Sequence, residues 1–362
     1  MSTSSNYPRS AHITVHLDAI AHNYQYMRKK AGSKAFAIVK ADAYGHGSDG
    51  VASYLSNIAD GFAVVSVGEG IGLRDAGITQ PIIVLQGPQD DVDMDAIYEN
   101  GLWPALHDEA QIAQVMAHRN AIDIEPWLKV DTGMGRLGVS LDSAMKHLRQ
   151  NQLRWRGVLS HLASADDVEN PFTAEQSARL EKVVTAQDLD VSLANSAGVL
   201  GWPVTTRQWA RVGIGLYGSH PMIACSDKDN VLKPAMSVHA PIVSIKRFKA
   251  GQGIGYGQTY RCTEEMLVAY AAIGYADGVP RVLDSSADVQ IHGVRCPIIG
   301  RVSMDSIAID CRSLPKAPAL GDQILLWGPG QPVGRLAAAA GTISYELLTG
   351  IRGRRVYTDV HL

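Results

Sequence analysis

Several side chains able to hold an anionic ligand with a carbonyl group follow short apolar runs in the first two thirds of the chain. Lys40 closes the run AFAIVK and then meets the glycine-rich segment ADAYGHG. The other candidates supply a histidine, two arginines and a polar pair, namely Arg136, His161, Asn195, Ser196 and Arg211. An amine near a phosphate-binding loop is the arrangement used for a Schiff base with pyridoxal phosphate, which carries both an aldehyde and a phosphate.

Each of these residues also has an ordinary structural explanation when it is taken alone. Lys40 could be a lysine at a strand end whose ammonium reaches water. His161 could be a hydrogen-bonded structural histidine, and Arg136 and Arg211 could be surface charges. The choice between these explanations depends on whether the fold brings the residues to one place.

Eight apolar runs precede or contain these residues, and most are separated by segments with helical periodicity such as LDSAMKHLRQ and TAEQSARLEKVV. Continuous apolar runs are typical of parallel strands that helices cover. The runs are AFAIVKA, FAVVS, IIVLQ, LWPAL, WLKVD, GVLSH, VSLAN and QWARV. Eight strand and helix units predict an α/β fold of the (β/α)8 TIM-type barrel class, in which active-site residues lie at the carboxyl ends of the strands.

The sequence pattern changes near Leu232. The segments MSVHAPIVSIKRF, VQIHGVRCPIIGRVSMDSIAID and DQILLWG are β-rich, and helical periodicity returns only in VGRLAAAAG. We therefore predict a (β/α)8 barrel over residues 12–231 and a mostly β C-terminal domain over residues 232–362, with residues 1–11 packed beside that second domain as an option.

Composition excludes several classes of partner. The chain has 33 basic and 36 acidic residues and a net charge of -3, without a long run of either sign. No nucleic-acid or membrane partner is therefore expected, and without an apolar leader we expect a cytoplasmic protein. Four widely spaced cysteines, Cys225, Cys262, Cys296 and Cys311, indicate neither a disulfide framework nor a metal site.

Two other motifs fail their context. DTG at residues 131–133 matches an aspartic-protease signature, but it occurs once and in a helix-rich half of the chain. The glycines of GQGIGYG lie in the β-rich region with no helix behind them, so they do not make a dinucleotide fingerprint.

A series of longer motifs resembles the alanine racemase family, in order and over nearly the whole chain. They are AIVKADAYGHG, LKVDTGMGRLG, SHLASAD, NSAG, RVGIGLYG, GYGQTY, GYADG and GRVSMD. The resemblance implies racemisation of L-alanine and D-alanine, a pyridoxal 5'-phosphate cofactor, and a homodimer in which the β domain of one subunit completes the site of the other. The racemisation would serve peptidoglycan synthesis or alanine catabolism.

The resemblance also assigns roles to residues of this chain. Lys40 would hold the cofactor and act as one catalytic base, and Tyr256 from the partner chain would be the other. The cofactor would further contact Tyr44, Arg136, His161, Asn195, Ser196, Arg211, Gly213, Ile214 and Tyr345. The substrate would meet Arg136, Tyr256 and the backbone of Met304, with Lys129, Tyr275 and Asp305 in support.

The chemistry is consistent with those roles. Racemisation removes the α-proton from one face and returns a proton to the other, so two bases on opposite sides are favoured. Tyr256 would need positive neighbours or hydrogen bonds to its phenolate, which His161 and Arg211 could supply. Arg211 at the pyridine nitrogen would weaken the cofactor as an electron sink and limit side reactions.

Some alternatives stay open. Lys129 matches a lysine that some relatives carry as a carbamate, and it could equally be a lysine paired with a carboxylate. Ser303 stands where many relatives have cysteine, and the ending GIRGRRVYTDV leaves the last strand uncertain. Rival functions are a racemase of broader specificity for serine or lysine, a barrel-type decarboxylase, which Arg211 disfavours, and a non-catalytic cofactor carrier, which the second domain disfavours.

Overall fold

The computed structural model describes residues 9–150, 152–184, 189–223 and 231–359, so Cys225 lies outside the described residues. The chain divides into two compact units. We call them the barrel unit, Ile20–Ala43 with Gly47–Leu232, and the β unit, Met1–Ala19 with Tyr44–His46 and Lys233–Leu362. Among the described residues, no helix combines the length and the apolar character that a membrane span needs.

Eight parallel strands form a nearly closed barrel in the barrel unit, as the apolar runs predicted. Their spatial order is β8-β7-β6-β5-β4-β3-β2-β9, which follows the chain except that the last strand lies beside the first. The Arg211 N–H donates to the Ala194 carbonyl across the β8–β9 seam at 2.9 Å. The strands are β2 (Lys34–Ile38), β3 (Gly61–Val64), β4 (Ile82–Val84), β5 (Trp103–Leu106), β6 (Trp127–Lys129), β7 (Gly157–Leu159), β8 (Asp190–Ser192) and β9 (Trp209–Val212).

Helices follow these strands, and several begin at acidic or hydroxyl caps. The Asp90 and Asp108 side chains accept N–H groups from the first turns of α5 and α6, and Ser66 caps α4. The helices are α1 (Leu17–Ala31), the short left-handed α2 (Lys40–Tyr44), α3 (Ser48–Leu55), α4 (Val67–Asp75), α5 (Asp91–Glu99), α6 (Glu109–Ala117), α7 (Leu141–Gln150), α8 (Phe172–Val184) and α9 (Ser196–Gly201), with 3-10 turns η1 (Ala121–Asp123), η2 (Pro203–Thr205) and η3 (Ile214–Tyr217).

An aromatic cluster fills the barrel interior near the amino ends of the strands. Phe36 stacks on Trp209 with ring centroids 4.1 Å apart and meets Trp127 edge-on at 5.9 Å. The neighbouring strand β7 begins with Gly157, where an added Cβ would lie 2.7 Å from the Trp127 ring. Because this end of the barrel is filled with rings, a ligand site is favoured at the carboxyl ends, where Lys40 follows β2.

The β unit contains a twisted antiparallel sheet in which one long strand pairs on both sides. Strand β10 pairs with β17 through residues 238–241 and with β13 through residues 242–248, and the pairing with β13 shifts register between Ile242 and Ser244. The strands are β1 (His12–His16), β10 (Met236–Phe248), β11 (Gly253–Ile254), β12 (Tyr260–Arg261), β13 (Met266–Ala271), β14 (Asp288–Ile291), β15 (Val294–Ile299), β16 (Ile307–Asp310), β17 (Gln323–Trp327) and β18 (Arg354–Thr358), with η4 (Tyr256–Gln258), η5 (Tyr275–Asp277), α10 (Val333–Ala339) and α11 (Ser344–Gly350).

The predicted domain boundary at residue 12 differs from the structure. Strand β1 lies in the sheet of the β unit, antiparallel to β10 and parallel to β18. Its sequence HITVH alternates buried and less buried side chains, which suits a sheet with one covered face and not the fully buried strands of the barrel. The uncertain last strand is β18, and its place beside β1 puts the first and the last described strands in one sheet.

Candidate active site

The chain turns left-handed immediately after Lys40. Ala41, Asp42 and Ala43 have φ between 51° and 54° with ψ between 47° and 49°, and Tyr44 has φ of 52°. A left-handed conformation costs about 1–2 kcal/mol for each residue with a Cβ, so four in succession need strong external support. This turn sets the direction in which β2 delivers the Lys40 side chain.

Hydrogen bonds hold both ends of the left-handed turn. The Ala41 N–H donates to Glu69 Oε1 at 2.8 Å, and the Ala43 N–H donates to the Val39 carbonyl at 2.9 Å. At the far end, Asp42 accepts the Gly47 N–H at its carbonyl and the Ser48 N–H at its carboxylate, each at 2.9 Å. The backbone beside Lys40 is therefore fixed by groups from outside its own strand.

The Lys40 amine lies half-buried in a positive field. Burial lowers the pKa of Lys40 below its ordinary value, the charge of Arg136 lowers it further, and Glu69 partly opposes these effects. A lowered pKa raises the fraction of neutral amine, and the neutral amine is the form that attacks a carbonyl or accepts a proton.

Lys129, the last residue of β6, is more deeply enclosed. Its Nζ donates to the Leu85 carbonyl at 3.2 Å, and 7% of the residue is exposed. Burial, together with the charges of Arg211, Arg136 and Lys40, lowers the pKa of Lys129 to about 8. Within the part of the chain that the structure describes, no carboxylate pairs with this amine, which argues against the ordinary lysine–carboxylate alternative.

Arg211, on β9, is buried rather than a surface charge. Its Nη1 donates to the carbonyl and the hydroxyl of Ser192 at 2.8 Å each, and its Nη2 donates to the carbonyls of Ser160 and Leu193 and to His161 Nδ1 at 3.3 Å. Among the described residues its Nε–H has no acceptor. Burial lowers the pKa of Arg211 to about 10, so the guanidinium stays charged at neutral pH.

His161 is neutral in this arrangement. Because Arg211 can only donate, the His161 Nδ1 accepts, and the proton of the neutral ring lies on Nε2. Burial, followed by the charges of Arg211, Arg136, Lys129 and Lys40, lowers the pKa of His161 to about 3. Of the two kinds of help expected from His161, positive charge or a hydrogen bond, the neutral ring can therefore supply only a hydrogen bond.

These residues make a strongly cationic region at the carboxyl ends of the barrel strands. Lys40, Lys129, Arg136 and Arg211 act on one another through their charges, and Arg136 is exposed on the loop after β6. The acid whose field reaches Lys40 is Glu69. Uncompensated positive charge of this kind favours a ligand with several negative charges.

The loops after β8 and β9 meet at a hydroxyl. Ser196 Oγ accepts the Gly213 N–H at 3.0 Å and the Gly215 N–H at 3.2 Å, and Asn195 caps α9 by accepting the Gly198 N–H. Ile214, between the two glycines, is buried. The predicted group Asn195, Ser196, Gly213 and Ile214 is thus one compact assembly, of the type that binds phosphate in barrels.

In the β unit, Tyr44 lies against α11. Its ring centroid is 5.8 Å from that of Tyr345, and burial together with Tyr345 raises the pKa of Tyr44. Tyr44 therefore keeps its proton at neutral pH. Two tyrosine rings that the resemblance assigned to the cofactor, far apart in the sequence, therefore lie close together.

A second group in the β unit lies at its surface. Tyr256, on η4, is 66% exposed, and Met304 is 52% exposed. The Tyr275 N–H donates to the Ser303 carbonyl at 3.1 Å, and an added Cβ on Gly274 would lie 2.3 Å from the same oxygen, so this approach requires a glycine. The Asp305 carboxylate pairs with Arg9 at 2.7 Å.

Sequence analysis missed a buried polar network below His161. Gln176 Nε2 donates to Thr132 Oγ1 at 3.2 Å and to the His161 carbonyl at 2.9 Å, and its Oε1 accepts the Ala163 N–H at 2.8 Å. Ser160 completes the network through a 2.8 Å bond to Thr132. The available signal was a glutamine on the buried face of α8, and Glu69 was likewise visible only as the end of the capping box SVGE.

Family models match the chain in two consecutive parts. The model for the N-terminal domain of alanine racemase matches residues 15–221, and the model for its C-terminal domain matches residues 235–358. These matches cover both the barrel unit and the β unit.

Relatives match over almost their whole length. An alanine racemase of Azoarcus sp. is 39% identical over 348 residues, which are 95% of this chain and 98% of the relative, and a catabolic alanine racemase of Pseudomonas aeruginosa is 37% identical over 97% and 99%. The crystal structure of the biosynthetic alanine racemase of Pseudomonas aeruginosa has a TM-score of 0.92 at 36% identity, covering 97% of this chain and 99% of that one. That of Bartonella henselae, with covalently bound pyridoxal phosphate, has a TM-score of 0.88 at 29% identity and covers 97% and 100%. From its motifs, its barrel and these matches, the chain belongs to the alanine racemase family.

Proposed function

We propose that this chain is an alanine racemase that uses pyridoxal 5'-phosphate to interconvert L-alanine and D-alanine. The observation that carries the proposal is the cationic region at the carboxyl ends of the barrel strands, with the Lys40 amine of lowered pKa inside it. Family membership gives the reaction, and this region gives the chemistry that the reaction needs.

The residues present fit a bound pyridoxal phosphate. Lys40 would hold its aldehyde carbon, and Arg211 would direct its Nε–H at the ring nitrogen. Ser196, the backbone around Ile214 and the phenols of Tyr44 and Tyr345 would receive the phosphate. When bound, the cofactor withdraws electrons from the α-carbon of the amino acid and so weakens its C–H bond.

The site residues then divide the proton transfers. We assign the α-proton of D-alanine to Lys40 and that of L-alanine to Tyr256, one on each side of the reacting carbon. Each base takes a proton from one face, and the other returns a proton to the opposite face. Arg136 and the Met304 backbone would hold the substrate carboxylate, which keeps the α-carbon between the two bases.

Tyr256 would be contributed by a second copy of the chain. Its side chain is exposed on the β unit, as is Met304, whereas a working acid or base needs an enclosed site. A homodimer with shared sites would enclose these residues, and Tyr275 and Asp305 would support their loops.

Lys129 would carry a carbamate near Arg136. Its neutral amine nitrogen would attack the carbon of carbon dioxide and release one proton, giving an anion among cations. Burial without a carboxylate partner among the described residues and a pKa of about 8 support this assignment over an ordinary ion pair.

Other readings remain as outcomes of the test. A racemase of broader specificity would also turn over serine or lysine, a decarboxylase would release carbon dioxide, and a carrier would bind the cofactor without turnover. Arg211 disfavours the decarboxylase, since a buried arginine stands where that class uses a carboxylate. Cytoplasmic location and a role in D-alanine supply for peptidoglycan or in alanine catabolism stay predictions.

The test combines trapping with polarimetry. Borohydride reduction of the protein with pyridoxal phosphate should fix the cofactor on the peptide that contains Lys40, as seen by mass spectrometry. Polarimetry with L-alanine, L-serine and L-lysine in parallel should show turnover of alanine first. Cofactor on another lysine, or bound cofactor with no change in optical rotation, would overturn the proposal.

A further inference from the structure

We propose that Glu69 is a positioning residue for Lys40, because its carboxylate fixes the start of the left-handed turn that directs the amine into the site. The inference rests on the role of Lys40 given under Proposed function. It concerns a residue of α4 that none of the sequence motifs pointed to.

The geometry of Glu69 links three pieces of backbone. Its Oε1 accepts the Ala41 N–H at 2.8 Å, and its Oε2 accepts the N–H groups of Val65 at 2.7 Å and Ser66 at 3.3 Å. The bond from Ser66 is one half of the capping box that begins α4, whose other half is the Glu69 N–H donated to the Ser66 hydroxyl. An ordinary capping glutamate would stop there, whereas Glu69 also reaches the strand end that carries Lys40.

The turn needs this support at its first residue. Ala41 has a Cβ and a φ of 51°, a conformation that glycine adopts freely and alanine does not. The later part of the turn is held by Asp42, through the N–H groups of Gly47 and Ser48. At the beginning, the side chain that fixes the Ala41 N–H is Glu69.

The charge of Glu69 acts in the same place. The other charged groups that act on Lys40 are Arg136, on the loop after β6, and Lys129, at the end of β6, while the nearby His161 after β7 is neutral. Glu69 opposes the lowering of the Lys40 pKa. One carboxylate therefore supports both the direction and the protonation of the amine.

Three single variants separate positioning from helix capping. Glu69→Ala removes both functions, Glu69→Gln keeps one carbonyl acceptor without the charge, and Ser66→Ala removes half of the capping box but leaves the Ala41 contact. The full chain freed of cofactor is mixed with pyridoxal phosphate, quenched with borohydride at intervals, and the labelled fraction is measured by mass. Racemisation kcat and KM and thermal unfolding are measured alongside.

We expect the capture rate to fall about 10- to 100-fold in Glu69→Ala and by a smaller factor in Glu69→Gln, since a misdirected amine loses its attack geometry. The fall should be in kcat, with KM for alanine changed little. Ser66→Ala should unfold at a lower temperature and capture the cofactor at the wild-type rate within about twofold.

A rescue sharpens the test. If Glu69 holds Ala41 against its own backbone preference, then Ala41→Gly in the Glu69→Ala background should recover about 3- to 10-fold of the capture rate, because glycine adopts this conformation without help. The same Ala41→Gly change in the wild-type background should give no gain. A residue that only caps α4 would show no such coupling.

The outcomes distinguish this inference from the proposed function. If Lys40→Ala still captures the cofactor at the same peptide, the role of Lys40 fails. If Lys40 is required but Glu69→Ala and Glu69→Gln behave like Ser66→Ala, or if Ala41→Gly restores nothing, positioning by Glu69 is overturned and the proposed function stands. Should Glu69→Ala fail to fold, the comparison of Glu69→Gln with Ser66→Ala decides the same question.

Discussion

The two proposed bases occupy opposite kinds of environment. Lys40 is half-buried behind a strained turn, with its pKa lowered by burial and by Arg136. Tyr256 lies on a 3-10 turn of the β unit and is 66% exposed. The barrel unit thus lowers the pKa of its own base, while the β unit presents Tyr256 as an exposed side chain.

If the site is shared between two subunits as proposed, this difference would let each subunit contribute a different kind of base. A barrel places groups at strand ends within a rigid frame, so their charges can be tuned within one unit. A phenol on an exposed turn acquires its acid or base function only when another surface encloses it. The asymmetry predicts that damage on the barrel side abolishes chemistry altogether, whereas damage at Tyr256 removes one face of it.

The largest expected effect is that of Lys40→Ala. Without the amine, capture of pyridoxal phosphate at this site should be lost and racemisation should fall by at least about 10³–10⁴-fold. The matched control is Lys34→Ala, which removes an exposed lysine at the other end of β2. Mass spectrometry after borohydride treatment and polarimetry measure both effects. If cofactor capture and racemisation fell equally in the two variants, Lys40 would have no specific role in the reaction.

Tyr256→Ala should damage one direction of proton exchange. Exchange of the L-alanine α-proton with deuterium should fall about 10²–10⁴-fold, while Lys40 continues to exchange that of D-alanine. Net racemisation must fall equally both ways, because a catalyst does not move the equilibrium. NMR at early times measures each enantiomer, with Tyr98→Ala on α5 as an exposed control. Equal loss of exchange from both enantiomers would require a single base.

Mixing variants tests where Tyr256 acts. Inactive Lys40→Ala and Tyr256→Ala chains should regain activity when their subunits exchange, because each mixed dimer would contain one intact site. Exchange is verified by mass spectrometry of the intact dimers. If mixed dimers form but have no activity, Tyr256 acts in the site of its own chain. The contrast between a base tuned within one unit, Lys40, and a base enclosed by a partner, Tyr256, would then not hold.

The sequence predicted the strands of the fold better than the contacts that hold the site residues in place. All eight barrel strands and the long strand β10 were visible because buried parallel strands and alternating sheet strands leave strong apolar patterns. The left-handed turn was not visible, since Ala41 and Ala43 disfavour positive φ and a single aspartate between them does not indicate a turn of this kind. Such a conformation is imposed by tertiary contacts.

The supporting residues were missed for the same reason. Glu69 meets Ala41 across 28 positions of sequence, and Gln176 meets Thr132 across 44. A glutamate near a helix start reads as a cap, and a glutamine in a helix reads as surface. Only the folded barrel gives either residue its second partner, whereas the motif residues were recognisable from family resemblance alone.

Gln176→Leu tests whether the hydrogen bonds of Gln176 hold the site residues of the barrel unit in place. Removing this amide takes the Gln176 partner from the Ala163 N–H and from the His161 carbonyl, while Thr132 keeps only its bond to Ser160, so the free energy of unfolding should fall by about 2–4 kcal/mol. Racemisation should fall about tenfold as the loops that carry Arg136 and His161 loosen. Urea unfolding and steady-state kinetics measure the two effects.

The control for that change is Gln114→Leu, which loses one hydrogen bond to Asp91 at the surface and should alter stability by less than about 1 kcal/mol. If both leucine variants were equally active and equally stable, the network around Gln176 would have no part in holding the site. A large loss of stability with normal kinetics would make Gln176 a packing residue only.

The burial of Lys129 should make the stability of the chain depend on pH. Its pKa is about 8 in the folded chain against the ordinary 10.5, so between these values the unfolded chain binds the extra proton. Stability should therefore rise with pH across this window, and below pH 8 the cost of burying the ammonium is fully present. The difference between these two pKa values corresponds to about 3 kcal/mol.

Subtracting the urea-unfolding free energies of Lys129→Met from those of the wild type, without cofactor and bicarbonate, isolates this effect. Lys182→Met on the exposed face of α8 serves as the control. Added bicarbonate at pH 8 should stabilise only chains that retain Lys129. Parallel pH curves for the wild type and Lys129→Met would show that burial does not lower the pKa of this amine. The conclusion that the barrel unit tunes the charges of its own side chains would then fail.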